Sequence, residues 1–156
     1  MHNYYDSFKD EPHMQWSPHH NNLVTDYGPN SFVIDIKKAV RHNDTFRTAL
    51  WTGEHLQLTM MEINAGDDIG LEVHHDHDQF LYIVDGQGLT LMGDTKELLW
   101  FRQPVYEDCA VFVPAGSWHN IINTGSKPLK LFSIYAPVEH PFGTVHKTKI
   151  DAIEEH

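Results

Sequence analysis

The sequence predicts an all-β domain folded as an antiparallel β-barrel or jelly roll, and three observations carry that expectation. Eight short β-rich runs follow one another: HLQLTMMEI, LEVHH, QFLYIVD, GLTLMG, LLWFRQPVY, CAVFVPAG, HNIINTG and LKLFSIYAP. Gly, Asp, Asn and Pro clusters such as NAGDD, DGQG, MGDTK and NTGSKP separate them, which is the punctuation of hairpins and tight connections. No helix-length periodic segment lies between the runs, so parallel crossovers have nothing to be built from.

A chain of 156 residues fits one domain able to bury a core without disulfides or a structural metal. We place that domain at residues 31–156, behind a leader at 1–30. The leader is rich in Asn, His, Asp, Tyr and Pro and has no sustained apolar period, so it reads as loosely structured or docked through its aromatics. Its His19-His20 pair reads as solvated. SFVIDI looks like a strand with an open edge, IKKAVRHN allows a helical turn, and the tail KTKIDAIEEH allows a short amphipathic helix. Leu58, Met60, Leu81, Ile83 and Leu131 are expected to be buried, with Leu81 and Ile83 on the face of Gln79.

The formal charge of -11, from 22 acidic and 11 basic residues, argues against nucleic acid and anionic membrane as partners, since both reward clustered Lys and Arg. Small molecules or proteins remain as the expected partners. Cys109 is the single cysteine, which excludes an intramolecular disulfide, and it reads as a strand thiol in the core. With no apolar run near membrane-spanning length and no signal-peptide pattern, the expected location is the cytoplasm. A homodimer is expected, because the SFVIDI edge would be a liability if left open.

The stretch GLEVHHDHDQFLYIVDGQG concentrates polar side chains between apolar runs. Strand alternation puts Glu72 and His74 on one face and Val73 and His75 on the other. PAGSWHNIIN brings His119 from a second run.

These spacings resemble the two motifs of the cupin superfamily. Gly66, Glu72, His74, Gln79 and Gly86 reproduce the first motif, and Pro114, Gly116, His119 and Asn123 the second. The chain departs from the usual pattern at three places. Glu72 stands where the first histidine is usual, Gln79 where the glutamate is usual, and Asp108 where the second motif opens with Gly. The exchange of Glu and Gln keeps one carboxylate in the set.

The resemblance implies a barrel with Glu72, His74, Gln79 and His119 facing inward around a divalent transition metal. Two imidazoles, a carboxylate and an amide oxygen suit Mn, Fe, Ni, Co or Zn. His75 and His77 read as exposed turn residues, with Asp76 and Asp78 keeping the turn solvated.

The resemblance extends to small single-domain cupins likened to mannose-6-phosphate isomerase. It implies metal-dependent chemistry on a small oxygen-rich molecule, with sugar or keto-acid isomerisation or enolisation ahead of dioxygenase chemistry. A non-catalytic ligand-binding module and a scaffold are the alternatives. Tyr135 and His140 are the candidate proton-transfer residues, although by residue type Tyr135 reads as a core tyrosine and His140 as a loop histidine. Arginine is scarce, at Arg41, Arg47 and Arg102. Arg47 is read as a strand residue near the pocket that pairs with surface acids.

Overall fold

The computed structural model describes residues 25–154. Two antiparallel sheets face one another. The larger contains β1 (Arg47–Thr52), β2 (Gln57–Ile63), β3 (Asp78–Asp85), β6 (Ala110–Val113), β8 (Leu129–Ala136) and β9 (Val145–His146), in the order β6-β3-β8-β2-β1-β9. The smaller contains β4 (Gln87–Gly93), β5 (Phe101–Tyr106) and β7 (Trp118–Asn123), in the order β5-β4-β7. The barrel expected from the punctuated β runs is therefore present.

Seven of the eight runs hold named strands. LEVHH does not: it contributes one isolated bridge, Glu72 opposite His119. Residues 66–72 follow β7 as an irregular extra edge, held by Gly66 N to Asn123 O, Asn123 N to Asp67 O and Ile69 N to Ile121 O. SFVIDI forms no strand either, and Val33 in it is exposed. The open edges of the large sheet are β6 and β9 instead.

Register orders the barrel interior into rows. Gln57, Tyr135 and Gln79 pair across β2, β8 and β3, followed by Thr59, Ser133 and Leu81, and then by Met61, Leu131 and Ile83. Because alternate residues share a face, these rows stack down the barrel from a polar mouth to an apolar floor. Leu81, Ile83 and Leu131 are fully buried there, with Met61, Ile63 and Ile121. Leu58 and Met60 point the other way: Met60 is buried and Leu58 half-buried against a second cluster holding Tyr27, Ala39 and Val40.

That second cluster is the docking face of the N-terminal segment. Helix α1 (Ile36–His42) starts at Asp35, whose carboxylate accepts from Lys38 N at 3.1 Å, satisfying one of the free donors of a helix start. Ala39 and Val40 are its buried face. The described end of the leader docks through Tyr27, stacked on Phe32 with ring centroids 4.5 Å apart. Asp26 accepts from Gly28 N, Thr52 N and Gly143 N, each at 3.0 Å. Earlier leader residues, His19-His20 included, lie outside the described residues. The tail forms helix α2 (Lys149–Glu154), with Ala152 buried. No helix of the described residues is long and apolar enough to cross a membrane. Cys109 is half-buried, in the turn before β6 and not within a strand.

Asp108 explains one departure from the motif. Its φ of 71° makes it the one described non-glycine residue in the left-handed region, where Asp is tolerated better than most. Its carboxylate accepts from the Tyr82 hydroxyl at 2.6 Å, a bond glycine could not make. Replacing Asp108 by Val should cost about 1–2 kcal/mol, whereas Asp108→Gly should lose much less. Urea denaturation midpoints of the two variants check the order.

Candidate metal centre

Glu72 and His119 are brought side by side by main-chain bonds: Glu72 N donates to His119 O at 3.1 Å and His119 N to Glu72 O at 2.9 Å. His74 arrives two residues later, where Gly116 N donates to its carbonyl at 2.8 Å. Gly116 has a φ of +83°, which favours glycine, so its place in the second motif is a backbone requirement. The three side chains each offer a ligand atom within 4.8 Å of the others.

Hydrogen bonding fixes which imidazole nitrogens face inward. His119 Nδ1 lies 3.0 Å from Ser117 O; a carbonyl only accepts, so Nδ1 carries the proton and Nε2 keeps its lone pair. His74 Nδ1 faces Glu139 Oε1 at 3.3 Å, an ion-pair contact that favours a proton on that side. Both Nε2 atoms are buried without a hydrogen-bond partner. They approach Glu72 Oε1 at 3.3 and 3.5 Å, outside hydrogen-bond geometry.

Gln79 reaches the same interior from β3. Its amide nitrogen donates to Ser133 Oγ at 2.7 Å, and its Oε1 is buried without a partner. Three unpartnered acceptors and a carboxylate inside one barrel are costly as they stand. A divalent cation would satisfy them, so the residues fit a metal.

Electrostatics agree. Burial alone would raise the Glu72 carboxyl, but the His119 and His74 imidazoles outweigh it and hold it below the ordinary carboxylate range. Burial would lower His74, yet Glu72 and then Glu139 raise it above the usual imidazole value. A cation at His74 therefore competes with a proton for the ring.

The surrounding residues correct several expectations. His75 is exposed as expected, but His77 is not: its Nε2 bonds Val138 O at 3.0 Å and lies 3.3 Å from Glu139 Oε2. Glu139, absent from the sequence reading, thus holds His74 and His77 together. Among the described residues Arg47 makes no surface ion pair. It is 4% exposed and bonds His146 Nδ1 at 3.2 Å.

Tyr135 is a core tyrosine, as its type suggested, with its ring 5.6 Å from that of His74; burial pushes its hydroxyl up to about 12. His140 is no exposed loop residue but buried, its ring 5.2 Å from Tyr135 and its main chain clamped by both ends of the Gln57 amide. Asn123 is a brace: its amide donates to Ile63 O and Lys127 O at 3.0 and 2.9 Å.

Comparison with known proteins supplies the class. A family model described as Cupin domain matches residues 59–135, and the chain belongs to the cupin superfamily. Among its relatives, YrkC of Bacillus subtilis is 59% identical over 133 residues, covering 85% of this chain and 72% of that protein. Protein L612 of Acanthamoeba polyphaga mimivirus is 33% identical over 115 residues, covering 73% and 70%. The crystal structure of BH2720 from Bacillus halodurans superposes with a TM-score of 0.83 at 53% identity, covering 84% of this chain and 99% of that one.

Burial, and then Arg47, lower His140 from 6.5 to about 3. The folded state thus keeps this ring neutral where the unfolded chain would protonate it. Its contribution is full above pH 6.5 and is lost as pH falls from there toward 3, on the order of a few kcal/mol at most. Urea midpoints at pH 7.5 and 4.5 should therefore separate less in His140→Phe than in the parent; an unchanged separation contradicts this placement.

Proposed function

We propose that this chain is a metal-dependent cupin acting on a small oxygen-rich molecule, with isomerisation or enolisation ahead of oxygen chemistry. One observation carries the metal half of this reading: His74 Nε2, His119 Nε2 and Gln79 Oε1 are buried acceptors without partners, in a barrel that also holds the Glu72 carboxylate. A divalent Mn, Fe, Ni, Co or Zn ion bound by these four would supply Lewis-acid charge to a substrate carbonyl.

The chain's own residues divide the remaining work. Tyr135, with its hydroxyl at about 12, stays protonated and donates a hydrogen bond to a substrate oxygen. His140 stays neutral, and its Nε2 is buried without a partner, so a lone pair is free to accept a proton. Burial holds His140 far below the range of an efficient base, so taking a proton from the carbon next to a carbonyl requires that the negative charge of a bound substrate raise it and that the metal acidify that proton. Glu139 holds His74 by its Nδ1 side, as carboxylates behind metal-bound histidines do. We keep the homodimer in this proposal, with the β6 edge and exposed Phe112 in place of SFVIDI as the surface a second copy covers.

Two experiments test the reading. Metal analysis of tag-free protein should show His119→Ala losing most bound metal, and Glu139→Ala binding it about 10–100-fold more weakly. Equal metal content in the parent and His119→Ala rules the site out. The chain loaded separately with Mn, Fe(II), Ni and Zn should then convert a member of a panel of aldoses, uronates and keto acids, followed by product, solvent deuterium incorporation and oxygen uptake. Enolisation gives deuterium incorporation without oxygen uptake, falling about 100-fold or more in His140→Phe. Oxygen uptake coupled to product makes it a dioxygenase, and tight ligand binding without product makes it a binding module.

A further inference from the structure

We propose that Arg47 anchors the carboxylate of the molecule this site takes, which makes the ligand class short 2-hydroxy or 2-oxo acids. The anchor stands on Arg47 alone; the oxygen at carbon 2 rests on the metal reading above.

Arg47 lies on β1 with its side chain inside the barrel, and no described carboxylate comes within ion-pair distance of its guanidinium. One terminal nitrogen donates to His146 Nδ1 at 3.2 Å, the guanidinium carbon sits 5.3 Å above the Phe46 ring, and Nε is buried without a partner. Among the described residues no carboxylate pairs with it. A buried cation left this way is unfavourable unless an anion reaches it, and the flat guanidinium fork matches a carboxylate.

The place for that anion is at hand. Arg47 lines a pocket of about 230 Å³ together with Glu72, Glu139, His140 and Leu71. Lys149, the other cation on its wall, is already paired with Asp67 and Asp68. One unpaired positive charge facing two carboxylates suits a monoanion better than a doubly charged phosphate. The pocket is smaller than the roughly 300–1,000 Å³ of drug-sized sites, which limits the guest to a few carbons. Of the four candidate ligands only Glu72 lines this pocket; its carboxylate adjoins His74 and His119, which links the place of the anchored carboxylate to the metal donors.

Calorimetric titration tests this with lactate, its neutral amide lactamide and inorganic phosphate, using the full chain after chelator treatment and after zinc loading. Lactate should bind at least about tenfold more tightly than lactamide, as expected for a charge-assisted pair. Arg47→Gln should erase that preference while leaving zinc binding intact, and Arg47→Lys should keep part of it. The comparison of the two ligands on the chelator-treated parent, where no metal can favour the carboxylate, decides the matter even if Arg47→Gln does not fold. Equal binding of lactate and lactamide, binding of neither, or tighter binding of phosphate overturns the proposal. Preference for lactate in a chain that takes up no zinc keeps the anchor and removes the metal reading.

Discussion

The two main-chain hydrogen bonds exchanged by Glu72 and His119 are the constraint on which the site depends. Residues 66–72 are too irregular to be a strand, yet they must run beside β7 for three ligand atoms to meet. The pairing is secured beyond those bonds. Asp68 accepts from Asn120 Nδ2 at 3.0 Å, and Lys149 reaches from helix α2 to Asp67 and Asp68. Lys149 holds Asp67 below the ordinary carboxylate range; at Asp68, where burial would raise the carboxyl, Lys149 and Asn120 outweigh burial and lower it. The C-terminal helix is thus part of what positions the candidate ligands, although it contributes none.

A barrel can keep such a polar mouth only because its other rows are apolar. Met61, Ile63, Ile83, Ile121 and Leu131 fill the floor, and their burial is the main favourable contribution to folding. The donors above them lie between this floor and half-exposed Glu72 and Glu139. A main-chain carbonyl holds the outer nitrogen of His119 and Glu139 lies beside that of His74, which leaves the inner nitrogens turned toward their shared carboxylate neighbour, Glu72. Polar groups arranged in this way oppose stability where a function requires them.

Much of this was legible in the sequence, for identifiable reasons. Turn residues mark strand ends physically, so β2 to β8 could be read from their punctuation. The spacing of Glu72, His74, Gln79 and His119 was readable because it follows strand alternation and motif spacing. Arg47 was readable as a strand residue near the pocket but not as a buried one, and Glu139 was not readable. Four successive residues of β1, from Arg47, are buried, because the docked N-terminal segment covers one face and the barrel the other; alternation then gives no sign of which side chain faces the site. Glu139 acts through a loop, where no periodicity exists, and the same holds for His140 and His77. SFVIDI misled because Phe32 and Ile34 pack onto the outside of a sheet from an extended segment before α1, a pattern that sequence alone does not separate from a strand.

The central claim is that these inner donors hold a divalent ion. Crystals of the tag-free protein, measured on both sides of the absorption edges of Mn, Fe, Co, Ni and Zn, test it most directly. The account predicts one strong anomalous peak about 2.0–2.3 Å from His74 Nε2, His119 Nε2, a Glu72 oxygen and Gln79 Oε1. No peak there, even after soaking in millimolar Mn and Zn, or a peak confined to another part of the surface, would contradict it.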